Sequence, residues 1–217
     1  LRGRGYGPTG LAGYRLMALP PDEISAGGKA RALAMMLRAG HPVPDGFVIL
    51  PCGFTGETLT AAGNDILHEQ IARFPTGQRF AVRSSALNED SASASFAGAY
   101  DSVLDVPADG LRDALAAVRR SRLAGRLDAY AAATGSEAGE LAVIVQAMVP
   151  AELAGVVFTV DPFSGDLGKM YGNMVHGAGE ALVSGAAPAA EFTLTRPAAD
   201  YTGPESLRPH ASRLHAL

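Results

Sequence analysis

Several things are scarce or missing in this 217-residue sequence. It has one cysteine, Cys52, and no tryptophan. A single cysteine excludes an intramolecular disulfide framework and a cysteine-rich zinc site, and a reducing cytoplasm is the compartment expected of such a chain. No apolar run reaches the roughly 18 residues that a membrane span requires. The most apolar stretch, Leu141 to Val160, is broken by Gln146, Pro150 and Glu152. There is no basic block, and a formal net charge of -4 argues against nonspecific binding to nucleic acid or to an anionic membrane. Lysine is rare as well: among 18 Lys and Arg residues, only Lys29 and Lys169 are lysine. The chain starts at Leu1 with no charged-then-apolar segment, as expected of a cut or processed N-terminus. What is there is 47 % hydrophobic and 18 % charged, the composition of a folded, soluble chain rather than a disordered one.

The patterning alternates between strands and helices. Residues up to Ser25 read as a loose arm with one strand at Tyr14 to Leu19. Gly27-Gly28 then opens a helix reaching about Gly40, because Ala30, Leu33, Met36 and Leu37 recur at helical spacing. A turn at Pro42, Pro44 and Gly46 feeds a strand at Phe47 to Leu50, and a helix is expected from about Glu57 to Arg73. Phe80 to Val82 reads as a short buried strand. The run from Arg83 to Ser95 has no periodicity and reads as too polar for core. A strand from Tyr100 to Val106 leads to a long helix that Asp109 would cap and that reaches about Thr134. Leu141 to Gln146 and Gly155 to Val160 read as two buried strands meeting as a hairpin or at a hinge; further strands fall at Met170 to Val175 and Glu191 to Thr195. After Arg196 no packed pattern is visible. This is an α/β or α+β chain of two lobes split near Gln146 to Pro150. The expected division is an arm and first strand over 1–26, a first lobe over 27–146, a second over 147–196 and an irregular tail over 197–217.

Four places carry chemistry, each with a plainer alternative. Lys29 sits in the first turn of its helix, where the macrodipole disfavours a cation. Either an ion pair with Asp22 or Glu23 or an anionic ligand would account for it. The string Arg83-Ser84-Ser85, followed by Ser95-Phe96-Ala97-Gly98, joins a guanidinium to hydroxyls and small residues, as a triphosphate site requires; a solvated serine-rich loop would look similar. Gln146, Met148 and Val149 could line an apolar slot for a base, or be core followed by a turn at Pro150. Glu180 lies among glycines and fits either a ribose contact or an exposed loop acid. Familiar signatures fail. Glu23 and Ala30 stand where a Walker loop needs Gly and Ser or Thr, Leu182 stands where a dinucleotide fingerprint needs its third Gly, and Ala72 follows His68-Glu69 where a zincin needs His. No metal signature is present.

In order along the chain, these strings resemble the ATP-binding domain shared by pyruvate phosphate dikinase, phosphoenolpyruvate synthase and rifampicin phosphotransferase. The matching segments are Gly27-Gly28-Lys29-Ala30, Val43-Pro44-Asp45-Gly46-Phe47-Val48, Ala81-Val82-Arg83-Ser84-Ser85-Ala86 with Glu89-Asp90, and Ser95-Phe96-Ala97-Gly98. Val145-Gln146 with Met148-Val149, Gly155-Val156 with Phe158-Thr159 and Asp161-Pro162, and Gly177 through Gly185 complete the set. The resemblance implies an α+β, ATP-grasp-like fold whose two lobes hold ATP in a nucleotide cleft. It implies that Lys29 and Arg83 engage the phosphates, that the turn from Ser95 to Gly98 covers them, that Gln146, Met148 and Val149 line the nucleotide slot, and that Glu180 contacts the nucleoside. ATP and Mg²⁺ are the implied cofactors.

Where the chain departs from this family, the expectations change. Family members continue past the strand matching Phe192 to Leu194 into a helix and a segment that binds metal and phosphate, so the C-terminal part of the second lobe is expected to be missing and the metal ligands stay unassigned. The helical insertion between Phe47 and Phe80 is short. The family relays its phosphoryl group through a histidine on a swivelling domain, and none of His41, His68, His176, His210 or His215 has that Thr-Ser-His context. A phosphohistidine domain is therefore expected elsewhere in a longer protein or on a partner chain. The expected activity is the ATP-binding part of a phosphoenolpyruvate-synthase-like kinase, inactive alone. A shortened or degenerate nucleotide-binding module is the alternative, and a carboxylate-amine ligase fits the Arg83 and Phe96 strings less well.

Overall fold

A computed structural model describes residues 11–86, 102–130, 141–177, 179, 182, 188–196, 198 and 200–215. It is a mixed α+β chain that divides into two compact units, Leu1–Val149 and Pro150–Leu217. The strands of the first unit are β1 (Gly13–Arg15), β2 (Gly46–Ile49), β3 (Phe54–Thr55), β4 (Thr58–Leu59), β5 (Arg79–Ala86), β6 (Ser102–Pro107) and β7 (Leu141–Ala147). Its helices are α1 (Gly27–Arg38), α2 (Ala61–Ile71) and α3 (Leu111–Tyr130). β3 and β4 form a small hairpin, and the others make one antiparallel sheet in the order β1-β2-β7-β5-β6.

Both faces of this sheet are covered. Phe47, Ile49, Phe80, Val82, Val143 and Val145 pack with Leu67 of α2 and with Leu111, Leu115 and Val118 of α3. On the opposite face Val48, Ala142 and Ile144 pack with Ala30 and Ala34 of α1. Successive residues of a strand point to opposite faces, so a strand covered on both sides favours apolar residues at every position unless a polar one finds a hydrogen-bond partner. That is why Leu141 to Val145 is uninterrupted apolar sequence. Each large side chain wholly buried here contributes roughly 1.5–3 kcal/mol.

In the second unit, β8 (Leu153–Phe158), β9 (Lys169–His176), β10 (Ala190–Thr195) and β11 (Tyr201–Thr202) form an antiparallel sheet in the order β11-β10-β9-β8. Its core is Met170, Phe192, Leu194, Tyr201 and Leu207. Among the described residues, no helix is long and apolar enough to cross a membrane.

The structure departs from the sequence pattern in five places. The apolar stretch at Tyr14 to Leu19 is strand only through Arg15, and Leu16–Ala18 closes into a 3₁₀ turn. The second helix starts at Ala61 rather than near Glu57, because residues 58–59 pair in the hairpin and Thr60 caps the helix through its hydroxyl, 3.1 Å from the Gly63 amide. β5 runs on through Arg83, Ser84, Ser85 and Ala86, pairing with β7 throughout, and both serines are buried. Of the two readings for β7 and β8 the hairpin fails, since they belong to different sheets of units that divide at Val149 and Pro150, and β8, expected to be buried, is an edge strand with Val156 and Phe158 exposed. The segment after Arg196, read as irregular, contains β11, a 3₁₀ turn over Glu205–His210 and a short helix over Ala211–His215. Its anchors are single residues: Tyr201 stacks on Phe192 with ring centroids 6.1 Å apart, and Leu207 is buried. Such isolated anchors leave no periodicity to read.

Candidate functional site

Helix α1 begins in an unusual way. Ala26 is its N-cap without a side-chain hydrogen bond, and no acid lies in its first turn. The amide of Ala30, at the end of the first turn, also donates out of the helix, to Ser85 Oγ at 3.1 Å. Gly27 permits this approach: its φ is +78°, and an added Cβ would stand 2.5 Å from both the carbonyl carbon and the oxygen of Ser85. The Gly27-Gly28-Lys29-Ala30 turn is thus seated on the end of β5, with Lys29 exposed. The Glu23 carboxylate is buried and accepts the Ser25 hydroxyl at 2.5 Å.

Arg83 lies two residues before Ser85. Phe80 and Val82 face the α2 and α3 side, so Ala81, Arg83 and Ser85 face α1. By the same alternation on β7, Ile144 and Gln146 share that face. The register pairs Arg83 with Ile144 and Ala81 with Gln146, which makes Arg83 and Gln146 diagonal neighbours about 7 Å apart at Cβ. Arg83 is exposed; Gln146 is buried, and its Nε2 donates to the Pro44 carbonyl at 2.9 Å. That bond fixes which end of the amide accepts: Oε1 remains as the acceptor. The structure therefore brings Lys29, Arg83 and Gln146 to one face of one sheet from positions far apart in the chain.

The segment after β7 is tied down by its main chain. The Ala147 amide donates to the Asp45 carbonyl at 2.8 Å, and Met148 donates to the Arg79 carbonyl at 2.8 Å while its own carbonyl accepts Gln78 Nε2 at 3.4 Å. Met148 is half-buried, whereas Val149 is 54 % exposed, so the outward residue of this link is Val149. Gln78 and Arg79 escape sequence reasoning because only their position in the fold brings them to Met148. Ser84 and Ser85 are not open hydroxyls, and the latter serves α1 as an external cap. Ser95, Gly98 and Glu180 lie outside the described residues. Lys169 begins β9, exposed and 3.7 Å from Asp166. Among the described residues no group of three or more His, Cys, Asp or Glu could hold a metal ion.

Residues 54–212 match the family model for the pyruvate phosphate dikinase AMP/ATP-binding domain, a range that begins after Lys29 and includes Arg83, Gln146, Met148 and Val149. The prodigiosin synthesizing transferase PigC of Serratia marcescens is 32 % identical over 204 residues, covering 82 % of this chain and 23 % of its own length. The phosphoenolpyruvate synthase of Aeropyrum pernix is 28 % identical over 238 residues, or 84 % of this chain and 29 % of that protein. For the phosphoenolpyruvate synthase of Pyrococcus furiosus the identity is 38 % over 119 residues, 54 % of this chain and 15 % of the relative. The chain spans about a quarter of the length of the first two of these relatives.

Proposed function

Because this chain belongs to the family of the pyruvate phosphate dikinase AMP/ATP-binding domain, we propose that it is the nucleotide-binding part of a phosphoenolpyruvate-synthase-like phosphotransferase. The proposed fold is ATP-grasp-like, with 1–26 as an arm and first strand, 27–146 as its first lobe, 147–196 as part of its second and 197–217 as a tail. The observation that carries this reading is the seating of the Lys29 turn on β5 beside Arg83, through Gly27 and the bond from Ala30 to Ser85. Two cations and a closely packed glycine turn are the parts that bind a polyphosphate.

In this reading Lys29 and Arg83 hold the phosphate oxygens and neutralise their charge, Ser95 and Gly98 cover them, and Glu180 meets the ribose. The link of Met148 and Val149 receives the base, and the Oε1 acceptor of Gln146 suits a donor group on it. Phosphoryl transfer depends mainly on such positioning and charge neutralisation. Mg²⁺ would supply further neutralisation of phosphate charge, and among the described residues no group of three or more His, Cys, Asp or Glu is there to hold it, so no ligand is assigned. Transfer to a relay histidine and then to pyruvate or another small acceptor is assigned to the whole protein, in its phosphohistidine domain and beyond; the 217 residues alone bind nucleotide without turnover. The cytoplasm remains the proposed compartment.

The test is isothermal titration of the chain with Mg·ATP, with Lys29→Ala and Arg83→Ala alongside. Each substitution removes a charge-assisted contact of about 1.5–3 kcal/mol, so affinity is expected to fall at least tenfold. Equal affinity in all three proteins would remove both residues from the site, and no binding by the unsubstituted chain would favour the degenerate module.

A further inference from the structure

We infer that Gln78, Arg79 and Asp105 form a brace that positions Met148, and so sets the affinity of the link for the base of the nucleotide. The inference rests on the proposed role of that link. The Met148 main chain is held on both sides by adjacent residues: its amide donates to the Arg79 carbonyl at 2.8 Å, and its carbonyl accepts Gln78 Nε2. The same Gln78 nitrogen donates to the Arg79 carbonyl at 2.7 Å. One side-chain amide thus spans the two carbonyls that face each other across the start of β5 and the end of β7.

Arg79 is anchored in turn from its other side. Its Nε and Nη2 donate to the two Asp105 oxygens at 3.0 and 2.8 Å, a bidentate pair of the kind that fixes orientation as well as distance. Asp105 sits in a β-bulge: β5 pairs Phe80 with Val106 and Val82 with Val103, so Leu104 and Asp105 stand opposite Ala81 alone. Its φ of +56° lies in the left-handed region, which Asp tolerates better than most residues. The bulge aims the carboxylate back at Arg79. Because both partners are exposed, the pair adds little to global stability, which leaves positioning as its effect. With the Met148 amide committed to Arg79, the base is left the second lone pair of the Met148 carbonyl, the Met148 side chain and Val149, and a displaced Met148 would shift all three.

The experiment uses the 217-residue chain and the variants Gln78→Leu, Arg79→Ala and Asp105→Asn. Hydrogen exchange at the Met148 amide is expected to quicken about fivefold in each variant, the equivalent of one lost hydrogen bond. Titration with ATP and with inorganic tripolyphosphate, which has no base, is expected to show ATP affinity falling about threefold while tripolyphosphate affinity holds. Unchanged exchange at Met148 overturns the brace. Faster exchange with equal losses for ATP and tripolyphosphate overturns it as well, since that is the mark of a general structural role. If the unsubstituted chain binds ATP no better than tripolyphosphate, the base-binding role of the link fails first, and the inference fails with it.

Discussion

Replacing Ser85 by Ala removes the side-chain acceptor that ties the buried Ala30 amide to β5. An intramolecular hydrogen bond is worth about 0.5–1.5 kcal/mol net, so urea denaturation of Ser85→Ala is expected to show a loss in that range, with Ser85→Thr retaining part of the bond. A midpoint equal to the parent's would mean that water takes over the role. The functional corollary is specific: the same bond seats the turn carrying Lys29, so Ser85→Ala is expected to weaken ATP binding even though its hydroxyl is directed at α1. Residue type alone could not have revealed this. A serine in a string with Asn, Glu and Asp looks solvated, and only pairing with β7 on one side and α1 on the other makes it core. Lys29 was easier to single out, because a cation in a first turn contradicts the helix dipole wherever that helix lies.

The turn between β8 and β9 shows how one carboxylate can organise a loop. Asp161 Oδ1 accepts the Phe163 amide at 2.9 Å, and Oδ2 accepts the Ser164 hydroxyl at 2.7 Å. These bonds, the Phe163 amide first, hold the Asp161 carboxyl below its ordinary range. A depressed carboxylate stabilises the turn fully above the ordinary carboxylate range and loses that contribution as pH falls through the depressed value. Following the Asp161 carboxyl by nuclear magnetic resonance, the midpoint is expected to lie below that of an unstructured peptide and to rise in Ser164→Ala; an unmoved midpoint would dissociate the hydroxyl from the effect. Elements with a local cause were legible in the sequence. Helix α1 was marked by its spacing of Ala30, Leu33 and Leu37 and ends within two residues of where Gly40 predicted. β7 was marked by its apolar run. Elements with a distant cause were not: β11 exists because Tyr201 finds Phe192, and Val156 and Phe158 looked like core although β8 lies at a sheet edge.

The two units have separate cores, one pair of clusters around the five-stranded sheet and one cluster around the four-stranded sheet. Phe192→Ala removes a ring that is 1 % exposed, a change costing about 3–5 kcal/mol. Hydrogen exchange is expected to speed up across β9 and β10 while β5 and β7 keep their protection; equal loss in both units would show that they unfold as one. Within the first unit, the chain order of the strands differs from their order in space. β7 is the last strand of that sheet to be made, yet it lies at the centre, between β2 and β5. A nascent chain that has emerged only through β6 therefore holds an N-terminal pair and a later pair with no strand to join them. Arg83 and Pro44 must wait for Ile144 and Gln146. The residues proposed to bind nucleotide are consequently assembled in one late insertion, so on that proposal a growing chain should acquire its affinity abruptly, when residues 141–147 leave the ribosome, rather than by degrees.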